Sequence, residues 1–461
     1  MAYVEITKET WAFIAAHQHE DVRDVALHAR RADGVDVPFA LEQIAGRQRA
    51  RMKLPDWAAI DGLIFPPQVP MEQCSSQFTA LYKARLAQRL VESLRDGTPH
   101  TADVGRPTDA SGDAPAGRPT DHSPAATSLI DLTGGFGVDC SAMARAFDRA
   151  VYVERQEALC DLARHNMAVL GLGHVRVVHG DAVDYLNALP ADAATMVYAD
   201  PARRDAHGSR TYAIADCTPD VLALKDRLLD VAPIVMVKLS PMLDWRKTVA
   251  DFDGAVSQVH LVSTGNECKE LLVVLQRRIV PEDEVQVVCV NDGQRLDYAL
   301  GEERDAQRNV RSYAQWTVSP GRHNGGATAD AAASPTDTDV RTYLYEPNAS
   351  LMKAGCFAVL SARFPVTPVA PNSHLFVSAG KAPAAGFPGR VFAVDRVSTM
   401  NKRELKATFA GVTQANVAVR NFPLTVAQLR NKLGLRDGGD TYVFATTAAD
   451  GTHLLAVTHK A

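Results

Sequence analysis

The chain has 461 residues, 46% of them hydrophobic, with a formal net charge of −5, a length that sets a prior of about three ordinary domains with ample core. No apolar run approaches the ~18–20 residues that span a bilayer, and no basic stretch leads into an apolar one at the N-terminus, so the expectation is a cytoplasmic protein without a membrane partner. The seven cysteines (Cys74, Cys140, Cys160, Cys217, Cys268, Cys289 and Cys356) are odd in number, scattered and without Cys-x-x-Cys spacing, which argues against a disulfide framework and against a metal site.

Residues 1–96 are predicted to be helical. Gln18 to Arg30, Leu41 to Arg51 and Phe78 to Leu94 carry helix-like apolar spacing, the last with Phe78, Tyr82, Leu86, Leu90 and Leu94 on one stripe. Ser75 and Ser76 offer it an N-cap, and the basic residues Arg47, Arg49, Arg51 and Lys53 form either a phosphate-binding surface or a solvated face. Residues 97–127 change character. Gly105-Arg106-Pro107-Thr108-Asp109 recurs at Gly117 to Asp121 among Pro, Ala, Asp and Ser, a composition that buries too little apolar surface to offset its ordering entropy, so a disordered insertion is expected. Residues 319–338 read the same way.

Ser128 to Asp139 is the most informative stretch. A short apolar run ends at Asp131, and a glycine-rich turn with Gly135 and Gly137 leads into a helical pattern, the strand–turn–helix in which backbone presses against a nucleotide. Cys140 stands where a dinucleotide fingerprint wants its third small residue, which argues against NAD or FAD. An acidic strand end beside the turn suits a cationic cofactor without a pyrophosphate, such as S-adenosylmethionine. A second strand, Ala150 to Val153, ends at Glu154, 23 residues past Asp131, where an acid accepts from both hydroxyls of a ribose. Glu157 to Leu170 reads as a helix closed by Gly171. Val175 to Val178 leads to Gly180-Asp181, with Asp181 placed to accept from an adenine amino group. Thr195 to Ala199 ends in Asp200-Pro201-Ala202-Arg203-Arg204, and Ile234 to Leu239, Val259 to Ser263 and Leu271 to Leu275 supply three more strands. Seven strands with acids at the ends of the first three form the layout of a Rossmann-like α/β class I methyltransferase.

Beyond residue 277 the signals are mixed. Glu284 to Val290 and Arg341 to Tyr345 look like strands, and Ala349 to Ala362 like one helix. From Gly389 strands alternate with short helices, as in a small separate α+β domain. From Arg390 onward there are ten Lys or Arg against five Asp or Glu, so the tail carries about +5 and the remainder about −10, a distribution that points to a polyanionic partner.

Taken together, Met71-Glu72-Gln73-Cys74-Ser75-Ser76, Asp131 to Gly137, Asp200 to Arg204, Tyr345-Glu346-Pro347-Asn348-Ala349 and Val419-Arg420-Asn421-Phe422-Pro423 resemble a group of bacterial S-adenosylmethionine-dependent methyltransferases with a C-terminal THUMP-like domain. The resemblance implies a helical region (1–96), a methyltransferase core (128–277), a ferredoxin-like region (278–388) and a THUMP-like domain (389–461). Glu72 to Ser76 is similar to the Glu-Gln-Tyr-Pro-Thr segment of adenine-N6 methyltransferases, which implies that Gln73 and Ser76 close over the methionine end of the cofactor. Asp200-Pro201-Ala202-Arg203 occupies the place of the Asn/Asp-Pro-Pro-aromatic motif of the same enzymes. There the acid and the proline carbonyl accept from an exocyclic NH2 and align its lone pair, so Asp200 and Pro201 are the catalytic candidates. Tyr212 would supply the missing ring, and Arg203, Arg204 and Lys238 would hold the substrate. Lys238 to Pro241 and Asn266 to Glu270 are candidate walls of that site. The motif is also close to the Asp-Pro-Pro-Arg of 5-methyluridine enzymes, for which Cys217 or Cys268 would have to be a nucleophile. The expected function is methylation of a base in structured RNA such as tRNA or rRNA. The alternatives are a protein or small-molecule methyltransferase and a non-catalytic RNA-binding protein.

Overall fold

The computed structural model describes residues 6–28, 34–96, 126–203, 214–309, 312–316, 327–328 and 340–461. The expected insertions at 97–127 and 319–338 therefore lie outside the described residues, except for 126–127 and 327–328. The chain divides into two compact units, Met1–Val262 with Lys269–Pro281 and Ser263–Cys268 with Glu282–Ala461. No described helix is long and apolar enough to cross a membrane.

The first unit begins with six helices, α1 (Lys8–His17), α2 (Val22–His28), α3 (Val37–Lys53), α4 (Pro55–Ala59), α5 (Gln68–Gln73) and α6 (Gln77–Asp96). The helix expected over Gln18 to Arg30 starts later, at Val22, and residues 29–30 lie outside the described residues; α1 precedes it, capped by Thr7, whose hydroxyl accepts from the Thr10 amide at 3.1 Å. Ser76 caps α6 by accepting from the Thr79 amide at 3.3 Å. One face of α6, with Leu86, Ala87, Leu90 and Val91, packs on Leu129, Met143, Met196 and Met236 of the sheet layer, while Leu94 is exposed. The helical region is thus part of the core's packing. Arg47 is buried and donates to the carbonyls of Ala58 (3.0 Å) and Ile60 (3.1 Å), and Lys53 donates to those of Met71 (3.1 Å) and Glu72 (2.5 Å). Two of the four basic residues read as a phosphate surface therefore hold local backbone.

After this come β1 (Ser128–Asp131), α7 (Val138–Ala144), β2 (Arg149–Glu154), α8 (Glu157–Val169), β3 (Val175–His179), α9 (Ala182–Asn187), β4 (Met196–Ala199), β5 (Ala202–Arg203), β6 (Cys217–Thr218), α10 (Lys225–Val231), β7 (Ile234–Leu239), α11 (Trp245–Asp251), β8 (Val256–Thr264) and β9 (Glu267–Gln276). The main-sheet strands lie in the order β8-β9-β7-β4-β1-β2-β3. Strands β3, β2, β1, β4 and β7 are parallel, and β9 runs antiparallel to β7. Gly265 and Asn266, at φ 57° and 61°, have the left-handed geometry that folds β8 directly into β9. The parallel strands read as unbroken apolar runs because both faces are covered. Strand order reverses between β1 and β4, and the crevice at such a switch point is where ligands of open α/β sheets bind.

The second unit holds β10 (Gln286–Asn291), β11 (Gln294–Ala299), α12 (Leu300–Asn309), β12 (Gln315–Trp316), β13 (Ala327–Thr328), β14 (Arg341–Pro347), α13 (Ala349–Ala354), α14 (Phe357–Arg363), β15 (Thr367–Pro368), β16 (Phe376–Gly380), β17 (Gly389–Thr399), α15 (Lys402–Thr408), β18 (Asn416–Arg420), α16 (Val426–Leu433), β19 (Tyr442–Thr447) and β20 (His453–Lys460). The single helix expected over Ala349 to Ala362 is broken at Gly355, which takes φ 71° and closes α13. One sheet runs β15-β16-β14-β17-β20-β19-β18. The expected boundary at 388/389 falls inside it, since Gly389 to Ala393 of β17 pair with Pro347 to Tyr343 of β14. The residues on either side of that boundary therefore share one sheet. Glu346, buried, accepts from Arg390 and from Arg420 (2.6 Å), which joins the two motifs centred on Glu346 and Arg420.

Candidate functional site

A cleft of about 840 Å³ opens at the carboxyl ends of β1, β2, β4 and β7 in the first unit. The glycine turn forms one side. Gly135 (φ 53°) and Gly137 (φ 85°) hold backbone that other residues avoid. Gly134, which the motif reading passed over, is required for space: a Cβ there would lie 2.2 Å from the Tyr152 ring. That buried tyrosine props the turn and donates to the Gly135 carbonyl at 2.5 Å.

Glu154 ends β2 beneath the turn. Its Oε2 accepts from the Gly135 amide at 3.0 Å and its Oε1 from the Gln156 amide at 2.9 Å, which orients the carboxylate along the cleft edge. Asp181 lines the cleft and caps α9, accepting from the Val183 amide at 2.8 Å and the Asp184 amide at 3.3 Å. Asp131 is almost wholly buried and accepts from the Thr133 amide at 2.9 Å. Burial, reinforced by the charges of Asp139, Asp200 and Glu154, pushes its carboxyl up to about 8 despite that amide. Such a group stabilises the fold fully below its ordinary value of 3.8, and the contribution is lost as pH rises to about 8. Asp131→Asn should therefore melt higher relative to the parent at pH 9 than at pH 5. An equal difference at both pH values by thermal melts would contradict the assignment.

Asp200 follows β4 and is tied across the switch point, its amide donating to the Thr133 hydroxyl at 2.6 Å. Lys238 was expected to hold substrate. Instead its ammonium donates to Asp200 Oδ2 at 2.5 Å, so it positions the catalytic candidate. Burial alone would lower the Lys238 ammonium, but Asp200, Glu270 and Asp139 raise it well above the usual lysine value and keep it charged. Burial pushes the Asp200 carboxyl up and Lys238 opposes this. With its side chain 35% exposed to the cleft, Asp200 keeps room for a further partner.

Of the other expected residues, Pro201 is buried and lines the cleft, as does Gln73. Ser76 is not among the lining residues, because its hydroxyl is used as the α6 cap. Its neighbour Ser75 faces the cleft instead. Arg204 and Tyr212 lie outside the described residues, and Arg203 is described only as backbone paired with Cys217 in β5 and β6. Lys269 lines the cleft, whereas Asn266 accepts from the Ala349 amide at 2.9 Å within the second unit. Of the two cysteines weighed as nucleophiles, Cys217 lines the cleft and is buried, and Cys268 is not among the lining residues. Burial also pushes the cleft-lining Cys74 thiol up, to about 11.

Sequence reasoning missed Lys83, Asp139 and Tyr198, and gave Glu270 only as part of a candidate wall. Tyr198 donates to Asp139 Oδ2 at 2.8 Å, and Lys83 pairs with Glu270 at 2.6 Å and Asp139 at 3.2 Å. The available signal was a lysine at helical spacing with Ala87 and Leu90 on the buried face of α6.

Two family profiles match the chain, a ferredoxin-like domain over residues 343–388 and a THUMP domain-like family over residues 389–460. A crystal structure from Porphyromonas gingivalis W83, provisionally described as a methyltransferase, is 28% identical, covers 99% of this chain and 100% of its own, and superposes with a TM-score of 0.75. An O-methyltransferase from Bacillus cereus in complex with SAH (12% identity, 50% of this chain and 97% of that one, TM-score 0.30) and an rRNA methylase from Streptococcus thermophilus (14%, 33% and 87%, TM-score 0.25) are too distant to bear on the reading. No curated protein matches. The strand order, the cleft at its switch point, the full-length similarity and the two C-terminal families lead to one conclusion: the chain has a Rossmann-like methyltransferase fold followed by ferredoxin-like and THUMP-like domains.

Proposed function

We propose that the protein uses S-adenosylmethionine to methylate a base in RNA, with an exocyclic amino group as acceptor. The observation that carries this reading is that Asp200-Pro201 and the glycine turn line one cleft at the switch point of the sheet. The donor set fits the cofactor. Glu154 accepts from the ribose hydroxyls, Asp181 from the adenine amino group, and the glycine turn lines the cleft with backbone, seated against Tyr152. Gln73 and Ser75 line the side contributed by the helical region. The cofactor supplies a methyl group on a sulfonium that is already a good leaving group, so alignment of the acceptor is the main task left to the protein.

Asp200 performs it by accepting a hydrogen bond from the acceptor NH2, while Lys238 holds the carboxylate in one orientation and opposes the upward push of burial. The Pro201 carbonyl is the second acceptor. Carbon methylation through a cysteine is the second reading, and Cys217, buried in the cleft lining, is its candidate nucleophile.

RNA as the substrate rests on the THUMP-like match and on surface charge. Arg390 and Arg420 are engaged by Glu346 and Arg430 by Asp437, and among the other seven basic residues Lys402, Arg403 and Lys406 form an exposed group on α15. Truncation at residue 388 would strip β17 from β14 and expose an edge, so the full chain is the proper subject. Replacing these three residues by alanine together should weaken binding to a structured RNA and lower the slope of log affinity against log salt by roughly 2–3. An unchanged slope in fluorescence anisotropy would remove α15 from the RNA surface.

A further inference from the structure

We propose that Lys83 is a positioning residue for the donor cleft, fixing the segment Gln68–Ser76 against the glycine-turn helix by holding Ser75, Asp139 and Glu270 on one ammonium. The inference rests on reading the cleft as a methyl-donor site. Lys83 is wholly buried. Its ammonium donates to Ser75 Oγ at 2.9 Å and to Glu270 Oε2 at 2.6 Å, and it forms an ion pair with Asp139, 3.2 Å from Oδ1. Each partner comes from a different segment. Ser75 lies between α5 and α6, Asp139 sits in the first turn of α7 two residues past Gly137, and Glu270 is on β9.

The cluster closes on itself. Ser75 Oγ lies 2.8 Å from Asp139 Oδ2 and 3.1 Å from Glu270 Oε1. Burial alone would push the Asp139 carboxyl up, but Lys83 and then Lys238 more than offset this and hold it below the usual carboxylate range. A short helix such as α5 does not hold its place by propensity, and Met71 is its one buried side chain. Apolar residues would anchor such a segment at least as well as buried charges do. The polar cluster instead sets direction, because the side chains it ties are Ser75 and Asp139 of the cleft lining, next to Gln73.

The test compares the parent with Lys83→Met, with Lys83→Met/Glu270→Gln and with Ser75→Ala. The single Lys83 variant leaves two buried carboxylates short of a cation and should melt lower, and the double variant should recover most of that loss. Ser75→Ala keeps the ion pairs and frees only the segment, so it decides the question if the Lys83 variants fold poorly. In the double variant and in Ser75→Ala, amide exchange across residues 68–76 should quicken at least tenfold relative to the parent, and S-adenosylhomocysteine should bind at least tenfold more weakly by calorimetry. Parent-like exchange in that segment, or affinity within twofold of the parent, would overturn the proposal. A parent that binds no S-adenosylhomocysteine would refute the donor reading of the cleft, while the exchange rates would still decide whether Lys83 positions the segment.

Discussion

Asp200→Ala should lower the rate of methyl transfer by about 10²–10³-fold, the usual effect of removing one group aimed at the reacting centre, with donor affinity changed little. Asp200 lies at the end of β4, tied to Thr133 through its amide and to Lys238 through its carboxylate. Its bond to the acceptor matters most when the amino lone pair points at the methyl group, so the loss should fall on kcat more than on KM. Lys238→Met should mimic part of this loss by releasing the carboxylate. Cys217→Ser is the control and should leave turnover within about a factor of two, since no covalent step is invoked. Loss of turnover in Cys217→Ser, with a trapped RNA adduct in the parent, would instead establish carbon methylation.

Glu154→Ala should weaken donor binding by roughly 2–4 kcal/mol, the sum of two charge-assisted hydrogen bonds of about 1.5–3 kcal/mol each less what water restores. At 1.4 kcal/mol per tenfold this is about 30- to 10³-fold in Kd. Because the carboxylate also accepts from Gly135, the alanine loosens the turn as well, and Glu154→Gln separates the contributions. The amide retains an oxygen acceptor near the ribose edge and should lose less. Calorimetry with S-adenosylhomocysteine reads both variants, and parent-like affinity in Glu154→Ala would remove Glu154 from the cofactor site.

Much of the first unit was legible because its signals are local. The glycine turn, the acids at Asp131, Glu154, Asp181 and Asp200, and the apolar runs of the parallel strands all lie within a few residues of the features they announce, and all four acids line the cleft. What escaped depends on distant partners. Lys238 reads as a free cation until β7 is placed beside β4, bringing it onto Asp200. Lys83 looks like a surface residue until α6 lies against the sheet, and its partners Asp139 and Glu270 are 56 and 187 residues away. Ser76 was misread for a local reason, since two adjacent serines compete for one cap and the chain gives it to the second. That the THUMP-like end shares a sheet with the preceding region was not legible because β14 and β17, which pair, are separated by residues 348–388. Arg420 is one of the basic residues counted in the C-terminal tail, and its partner Glu346 lies 74 residues earlier.

The most direct test of the central claim is mass-spectrometric comparison of RNA nucleosides from cells with the gene intact, deleted, and restored with the parent or with Asp200→Ala. The expected result is one base methylated on an exocyclic nitrogen that vanishes on deletion, returns with the parent and stays absent with Asp200→Ala. Identical nucleoside profiles in the intact and deleted strains, or a lost modification on carbon or ribose, would contradict it.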